Sequence, residues 1–186
     1  MPQQSMYFSS DRALLEQPME NESEGAFMMK EEEDTITLGD VVQIGVVVKD
    51  VDLAVEYYSK NFGIGPWRIH VVERPSTDTT VYGKAASYKA KVAIARVSPT
   101  LTLELVQDLE GETIRTRFLQ EKGEGINHLM FAPIDDLKQE MDKFEKKGFK
   151  VIQSSITPEG GFAYIDTTQI GGIVFEIAQR RKPLTT

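Results

Sequence analysis

Residues 41–50 read Val-Val-Gln-Ile-Gly-Val-Val-Val-Lys-Asp, and residues 126–135 read Ile-Asn-His-Leu-Met-Phe-Ala-Pro-Ile-Asp. Each is an apolar run of strand length closed by an aspartate suited to cap a helix. With Gln43 laid on His128, Asp50 falls on Asp135, seven residues on in both copies. Gly63 then falls on Gly148, twenty residues on in both. Between those marks Leu53, Ala54 and Tyr57 in one copy, and Leu137, Met141 and Phe144 in the other, recur at helical spacing. The glycines supply the left-handed stop that ends a helix. Each copy closes on an apolar strand around one acid, Leu101-Thr102-Leu103-Glu104-Leu105 and Ile173-Val174-Phe175-Glu176-Ile177. A period of this length marks a duplicated supersecondary unit.

Working outward, the first copy continues with strands over 67–72, 82–88, 90–97 and 101–106. A polar loop at Ser76–Thr80 and a turn at Ser98-Pro99 separate them. In the second copy Asp135 or Asp136 caps the helix, and strands follow over 149–153, 161–166 and 173–178. Turns are expected at Pro158-Glu159-Gly160 and Gly171-Gly172. The fold expected is α+β, with paired βαβββ modules at 40–107 and 126–180. A link over 108–125 holds a helical stretch at 113–122, and 181–186 is a C-terminal tail.

Composition narrows the function classes. The chain has 186 residues, no cysteine and two histidines, His70 and His128. Disulfide scaffolds, thiolate metal sites and cysteine nucleophiles are excluded. The net charge is −8, and the stretch 1–39 carries nine acids against Arg12 and Lys30. That stretch reads as an acidic tail, or as an arm docking through Tyr7, Phe8, Leu14 and Leu15. The nearly neutral remainder lacks the basic face that nucleic acid or an anionic membrane requires. With no apolar run of spanning length and no secretory pattern, a soluble cytoplasmic protein is expected.

Each module offers one metal-capable side chain on its first strand and one on its last, namely Gln43 and Glu104, then His128 and Glu176. Alternation along a strand places Glu104 with Thr102 and Glu176 with Val174, away from their Leu and Ile neighbours. A carboxylate turned into a curved sheet is costly unless it is paired or bound to metal. The plain alternative is four polar residues on a solvated face. Their matched positions in the repeat suggest a shared cation instead.

These segments, with Asn61-Phe62-Gly63-Ile64-Gly65-Pro66-Trp67 and Gly123-Glu124-Gly125-Ile126-Asn127-His128, resemble the vicinal-oxygen-chelate superfamily. That group contains glyoxalase I, methylmalonyl-CoA epimerase, extradiol dioxygenases and bleomycin-resistance proteins, and the resemblance spans roughly 40–180. It implies that the modules close as a curved mixed-sheet cup around a divalent metal held by Gln43, Glu104, His128 and Glu176. Zn²⁺, Co²⁺, Ni²⁺ and Mn²⁺ all suit such donors. Glu176 would serve as the proton-transfer base, with Glu104 as the opposite base or a structural ligand. A small carbonyl substrate, such as an acyl-CoA, and a homodimer are implied as partners.

The sequence departs from each named reaction in places. Where glyoxalase I places a glutathione-binding arginine and asparagine, this chain has Val47 and Asp108. Where the epimerase often carries a second catalytic glutamate, Ser87–Ala93 has no acid, and Asn127 replaces the first of two adjacent histidines. Lys89, Lys91 and Arg96 are candidates to contact a CoA phosphate. His70 reads as a strand-end residue, outside the register of an iron triad. Tyr57, Trp67, Tyr82, Tyr88, Phe162 and Tyr164 are candidates to line a ligand-binding cup. The reading is an epimerase-like, metal-dependent isomerase that removes an α-proton beside a carbonyl. A glyoxalase I-like lyase and a non-catalytic bleomycin-resistance-type binder are the alternatives.

Overall fold

The computed structural model describes residues 35–169 and 171–179. Most of the acidic stretch 1–39 and the tail 181–186 lie outside the described residues. The last residues of that stretch belong to the body. Ile36 packs against the core of the second module, and the Thr37 amide donates to Glu140 Oε1.

The chain runs through β1 (Asp40–Val47), α1 (Val51–Phe62), β2 (Trp67–Arg74), β3 (Thr79–Val81), β4 (Lys84–Ala85), β5 (Tyr88–Arg96) and β6 (Thr102–Glu110). It continues through α2 (Ile114–Lys122), β7 (Gly125–Ile134), α3 (Leu137–Lys146), β8 (Val151–Thr157), β9 (Gly160–Ile165) and β10 (Val174–Gln179). The caps are those the residue types dictate. Asp50 accepts from the amides of Asp52 and Leu53, and Gly63 closes α1 at φ 66°. Thr113 and Thr116 form a reciprocal capping box on α2. Asp136, not Asp135, caps α3, so the second copy starts its helix one residue later than strict register predicts. The reason is a longer first strand, ten residues in β7 against eight in β1.

All ten strands form one sheet in the order β2-β5-β6-β1-β7-β10-β9-β8-β3-β4. The first module contributes β2-β5-β6-β1 and the second β7-β10-β9-β8, one the mirror order of the other. They meet at an antiparallel β1–β7 seam, while β6 runs parallel to β1 and β10 parallel to β7. This is the paired βαβββ plan and α+β class expected. Helices α1 and α3 cover one face. Val46, Val48, Val51, Ala93 and Leu105 form the core under α1, and Leu137, Phe144, Ile165 and Ile177 anchor the core under α3. Helix α2 lies on the opposite, inner face, where Phe118 and Leu119 pack on Val47, Tyr88, Ala90, Val92 and Val106.

One expected strand is absent. Residues 82–88 do not form a single strand, because Tyr82 (φ 48°) and Gly83 (φ 73°) make a turn between β3 and β4. This small hairpin leaves its own module and extends the far edge of the other, pairing Thr79 with Ser155, Thr80 with Ser154 and Val81 with Gln153. Hydroxyl contacts reinforce the junction, Thr79 Oγ1 to Ser155 Oγ at 3.2 Å and Thr80 Oγ1 to Ser154 Oγ at 3.0 Å.

Leu105 is fully buried on the helix side of β6, directly beside Glu104 on the inner side. Leu105→Ala is expected to lower unfolding free energy by about 3 kcal/mol, the cost of lost transfer plus a residual cavity. Urea unfolding checks this, and a loss under about 1 kcal/mol would show the site collapsing freely.

Candidate functional site

The four central strands each turn one predicted donor to the inner face. At the seam, Gly45 pairs with His128 and Gln43 with Met130. On either side, β6 sets Glu104 beside Gly45, and β10 sets Glu176 beside Met130. Gln43, Glu104, His128 and Glu176 therefore converge, from positions 43 to 176 of the chain. His128 Nε2 lies 3.2 Å from Glu176 Oε2 and 3.3 Å from Glu104 Oε2. The Gln43 amide hydrogen-bonds the Glu104 carboxylate. His128 is fully buried, and Gln43 and Glu176 nearly so.

Gly45 is required by this arrangement. A Cβ built on it would overlap Cε1, Nε2 and Nδ1 of His128, so the imidazole occupies the space a side chain would take. Asn127, the departure from the paired-histidine pattern, also acts on this ring. Its Oδ1 lies 3.3 Å from His128 Nδ1. This contact fixes the ring so that Nε2 faces the two carboxylates, and in the tautomer where Nδ1–H donates to Asn127, Nε2 is free to bind a metal ion.

Three electron-rich atoms then meet at the base of the cup, two of them shielded from solvent. His128 Nε2 and Glu176 Oε2 are both buried without a hydrogen-bond partner, despite their short separation. Such a grouping requires a proton or a metal ion among its members. An imidazole nitrogen, two carboxylates and an amide oxygen are a donor set suited to a divalent ion of the Zn²⁺, Co²⁺, Ni²⁺ or Mn²⁺ type. The set is not closed in advance. Among the described residues, no His, Asp and Glu side chains alone complete a metal cluster, and both carboxylates approach Nε2 itself. The Gln43 oxygen faces Thr102 Oγ1 at 3.5 Å, so the amide must turn over for its oxygen to serve as a fourth donor.

The two carboxyls differ in acidity. Burial, reinforced by the Glu104 charge, raises Glu176 to about 7 against the opposing pull of His128, Arg115 and the Tyr164 hydroxyl. Burial also works to raise Glu104, but the His128 imidazole, the Arg115 charge and the Gln43 amide outweigh it and hold Glu104 below the ordinary carboxylate range. Environments that push two carboxyls apart assign one to proton transfer and the other to standing charge.

The site opens into a cavity of about 630 Å³. Tyr88, Arg115, Phe162 and Tyr164 line it above the donor set. Arg115 projects from α2 and donates from Nε and Nη2 to Asp108 Oδ1 at 3.2 and 2.6 Å, with its guanidinium 5.1 Å from the Tyr88 ring centroid. The Asp108 position, where glyoxalase I places a glutathione-binding asparagine, is thus taken up by a buried ion pair. No sequence signal distinguished Arg115 or Gly45, because each matters only through a neighbour brought in by tertiary pairing.

Several expectations are corrected. Lys89 and Lys91 lie on the helix-bearing face, paired with Glu73 and Asp52, and Arg96 Nη1 donates to the Pro99 carbonyl. None of the three lines the cavity. Tyr57 and Trp67 belong to an aromatic cluster beside α1, and Tyr82 lies under Arg117, so of the six candidate aromatics only Tyr88, Phe162 and Tyr164 line the cup. His70 sits within β2 rather than at its end and faces the cavity, outside the donor set.

Two predictions arise from this geometry. Gly45→Ala is expected to cost about 2 kcal/mol or more, and the double variant Gly45→Ala/His128→Ala to recover much of that loss, since the methyl meets the ring. Additive losses in urea unfolding would place the clash elsewhere. Glu176 ionises near 7 when folded and near 4.5 when unfolded, so the folded state holds its proton more tightly. Its contribution to stability is complete below about 4.5 and lost as pH rises through about 7, a swing of at most about 3 kcal/mol. Metal-free protein should therefore lose stability from about pH 5 to pH 8, and Glu176→Gln should flatten that slope. An unchanged slope would assign the effect to another group.

No curated protein matches the chain by sequence. Solved structures match it in fold. A methylmalonyl-CoA epimerase variant from Streptomyces coelicolor, in complex with 2-nitronate-propionyl-CoA, is 16% identical with TM-score 0.57, the match covering 79% of this chain and 100% of that one. Methylmalonyl-CoA epimerase from Mycobacterium tuberculosis is 19% identical with TM-score 0.52, over 80% and 95% of the two chains. A methylmalonyl-CoA epimerase in complex with methylmalonyl-CoA and NH4+ is 15% identical with TM-score 0.54, over 77% and 95%. Among the described residues, no helix is long and apolar enough to cross a membrane. The family model described as the Glyoxalase/Bleomycin resistance protein/Dioxygenase superfamily matches residues 42–165, and with the paired βαβββ sheet this chain belongs to that superfamily.

Proposed function

We propose that the protein is a metal-dependent isomerase, epimerase-like in reaction, that removes and returns an α-proton beside a carbonyl group. The reading is carried by one observation: an imidazole nitrogen and two carboxylates are buried against each other with Nε2 and Glu176 Oε2 left unpartnered. Gln43, Glu104, His128 and Glu176 would hold the ion. A bound divalent cation supplies Lewis-acid stabilisation of the enolate oxygen.

The chain's own groups divide the remaining work. Glu176 takes the α-proton and gives it back, and in the ion-free site burial raises its pKa to about 7. Glu104 stays ionised and sets the charge balance of the floor. Asn127 keeps the His128 ring in the orientation that turns Nε2 inward. Tyr88, Phe162 and Tyr164 form apolar walls that limit water around the carbanion. Acyl-CoA thioesters fit this chemistry, since the thioester acidifies the adjacent C–H. The named complexes of the fold neighbours, with methylmalonyl-CoA and 2-nitronate-propionyl-CoA, support that substrate class. Val47 and the Arg115-bound Asp108 weigh against a glutathione hemithioacetal, because neither offers a free donor to a glutathione carboxylate.

The test is α-proton exchange in D₂O with 2-methylmalonyl-CoA, followed by NMR after loading with each of the four candidate metals. Exchange is expected with at least one metal, and Glu176→Gln should slow it by about 10²-fold or more. Exchange absent with every metal removes the epimerase reading, and turnover of methylglyoxal hemithioacetal instead would establish the lyase.

A further inference from the structure

The edge strand β2 turns Arg68, His70, Val72 and Arg74 toward the cup, and all four line the cavity. Its other face carries Trp67, Ile69, Val71 and Glu73, and Lys89 Nζ reaches Glu73 at 2.9 Å there. The cavity-facing row has no such partner. Among the described residues, Arg68 and His70 make no hydrogen bond or ion pair, and Arg74 makes only a 3.5 Å contact from Nη1 to the Glu73 carbonyl. Glu159, on the facing wall of the cavity, forms no ion pair with any of them.

Register fixes where this row stands relative to the donor set. Arg68 pairs with Ile94, which pairs with Glu104, so Arg68 lies two strands across from a donor at the same level of the sheet. Two strand spacings are roughly 10 Å. His70 lies level with Val92 and Val106, and Arg74 with Tyr88. The cup is therefore polarised, with carboxylates at its floor and unpaired cations along one exposed wall. Arg68 and Arg74 stand six residues apart on this face, roughly 20 Å along the strand, with His70 between them, so the row offers successive contacts to an anionic ligand rather than one shared contact. The arrangement stands out in a body that is otherwise nearly neutral.

We propose that Arg68, His70 and Arg74 form an anion-binding wall that holds acidic groups of the ligand, beginning at Arg68 roughly 10 Å from the donor set. The shared chemistry is a phosphate or carboxylate oxygen. Its source is either the phosphates of a nucleotide-linked carrier such as CoA or an acid group on a compact substrate. The inference rests on the cup as the ligand site of the proposed function, but requires neither the metal nor proton abstraction.

Titration calorimetry on the full chain tests it with three probes: CoA, pantetheine and malonate. CoA shares its thiol arm with pantetheine and adds the nucleotide phosphates. The double variant Arg68→Ala/Arg74→Ala is expected to weaken CoA or malonate roughly tenfold or more, with pantetheine unchanged. Arg68→Lys/Arg74→Lys should retain most of the affinity, and thermal unfolding of both variants should match the parent. Arginine-dependent binding of CoA assigns the wall to carrier phosphates, and of malonate to a substrate acid. Neither probe binding, or both binding equally to the parent and the alanine variant, overturns the proposal. Glu176→Gln, which separates the two ideas, should slow proton exchange by about 10²-fold or more and leave the arginine-dependent part of probe binding intact. Arginine-dependent binding without exchange in the parent would sink the isomerase reading alone.

Discussion

The antiparallel pairing of β1 with β7 is the constraint on which the rest of the molecule depends. It joins two modules that each carry half of the donor set, and it does so in a register that brings Gly45 opposite His128. Because side chains alternate along a strand, a slip of one residue would turn Gln43 or His128 onto the helix-covered face. The same pairing places β6 and β10 as outer neighbours of the seam, so two acids from the ends of the modules arrive beside an amide and an imidazole from their beginnings. The absent side chain at Gly45 belongs to this constraint, since the ring of His128 fills its place.

Burying two carboxylates against an imidazole is unfavourable for the scaffold alone. The surroundings offset part of that cost unequally. Arg115 contributes positive charge from α2, itself held by Asp108, and Tyr164 lies against Glu176. Glu104 receives the Gln43 amide, while Glu176 is left with an unpartnered oxygen. The floor thus contains one carboxyl fixed as a charge and one poised near neutrality, a division set by environment, not residue type. Sites that break the rules of polar satisfaction while the surrounding core obeys them are where function is expected.

The cup is also asymmetric in a way the duplication is not. The first module's excursion between β2 and β5 crosses to the edge of the second, where β3 joins β8. The β2 wall keeps its cations unpaired toward the cavity. The repeat builds the floor, and departures from the repeat shape the walls, where different ligands would be told apart.

Much of the architecture was legible in the residues themselves. The spacing from Gln43 to Asp50 and Gly63, repeated from His128, marks two modules because caps, stops and strand runs are local properties. Glu104 and Glu176 stood out for a similar reason, since an acid inside an apolar strand is conspicuous without any structure. Short, weakly patterned segments were not legible. Residues 82–88 read as a strand, yet Tyr82 and Gly83 turn the chain, and β3 finds its partner 74 residues away. Lys89 and Lys91 are candidates to contact a CoA phosphate by residue type alone, yet strand parity puts them on the helix-bearing face. By itself the sequence determined the duplicated plan and singled out four side chains that converge in the fold, because periodicity and chemical type are carried by neighbours along the chain. Only the tertiary structure decided that Arg115, Asn127 and Gly45 serve those donors and that Arg68, His70 and Arg74 face the same cavity. Contacts between strands depend on pairing register, and no short stretch of residues contains that information.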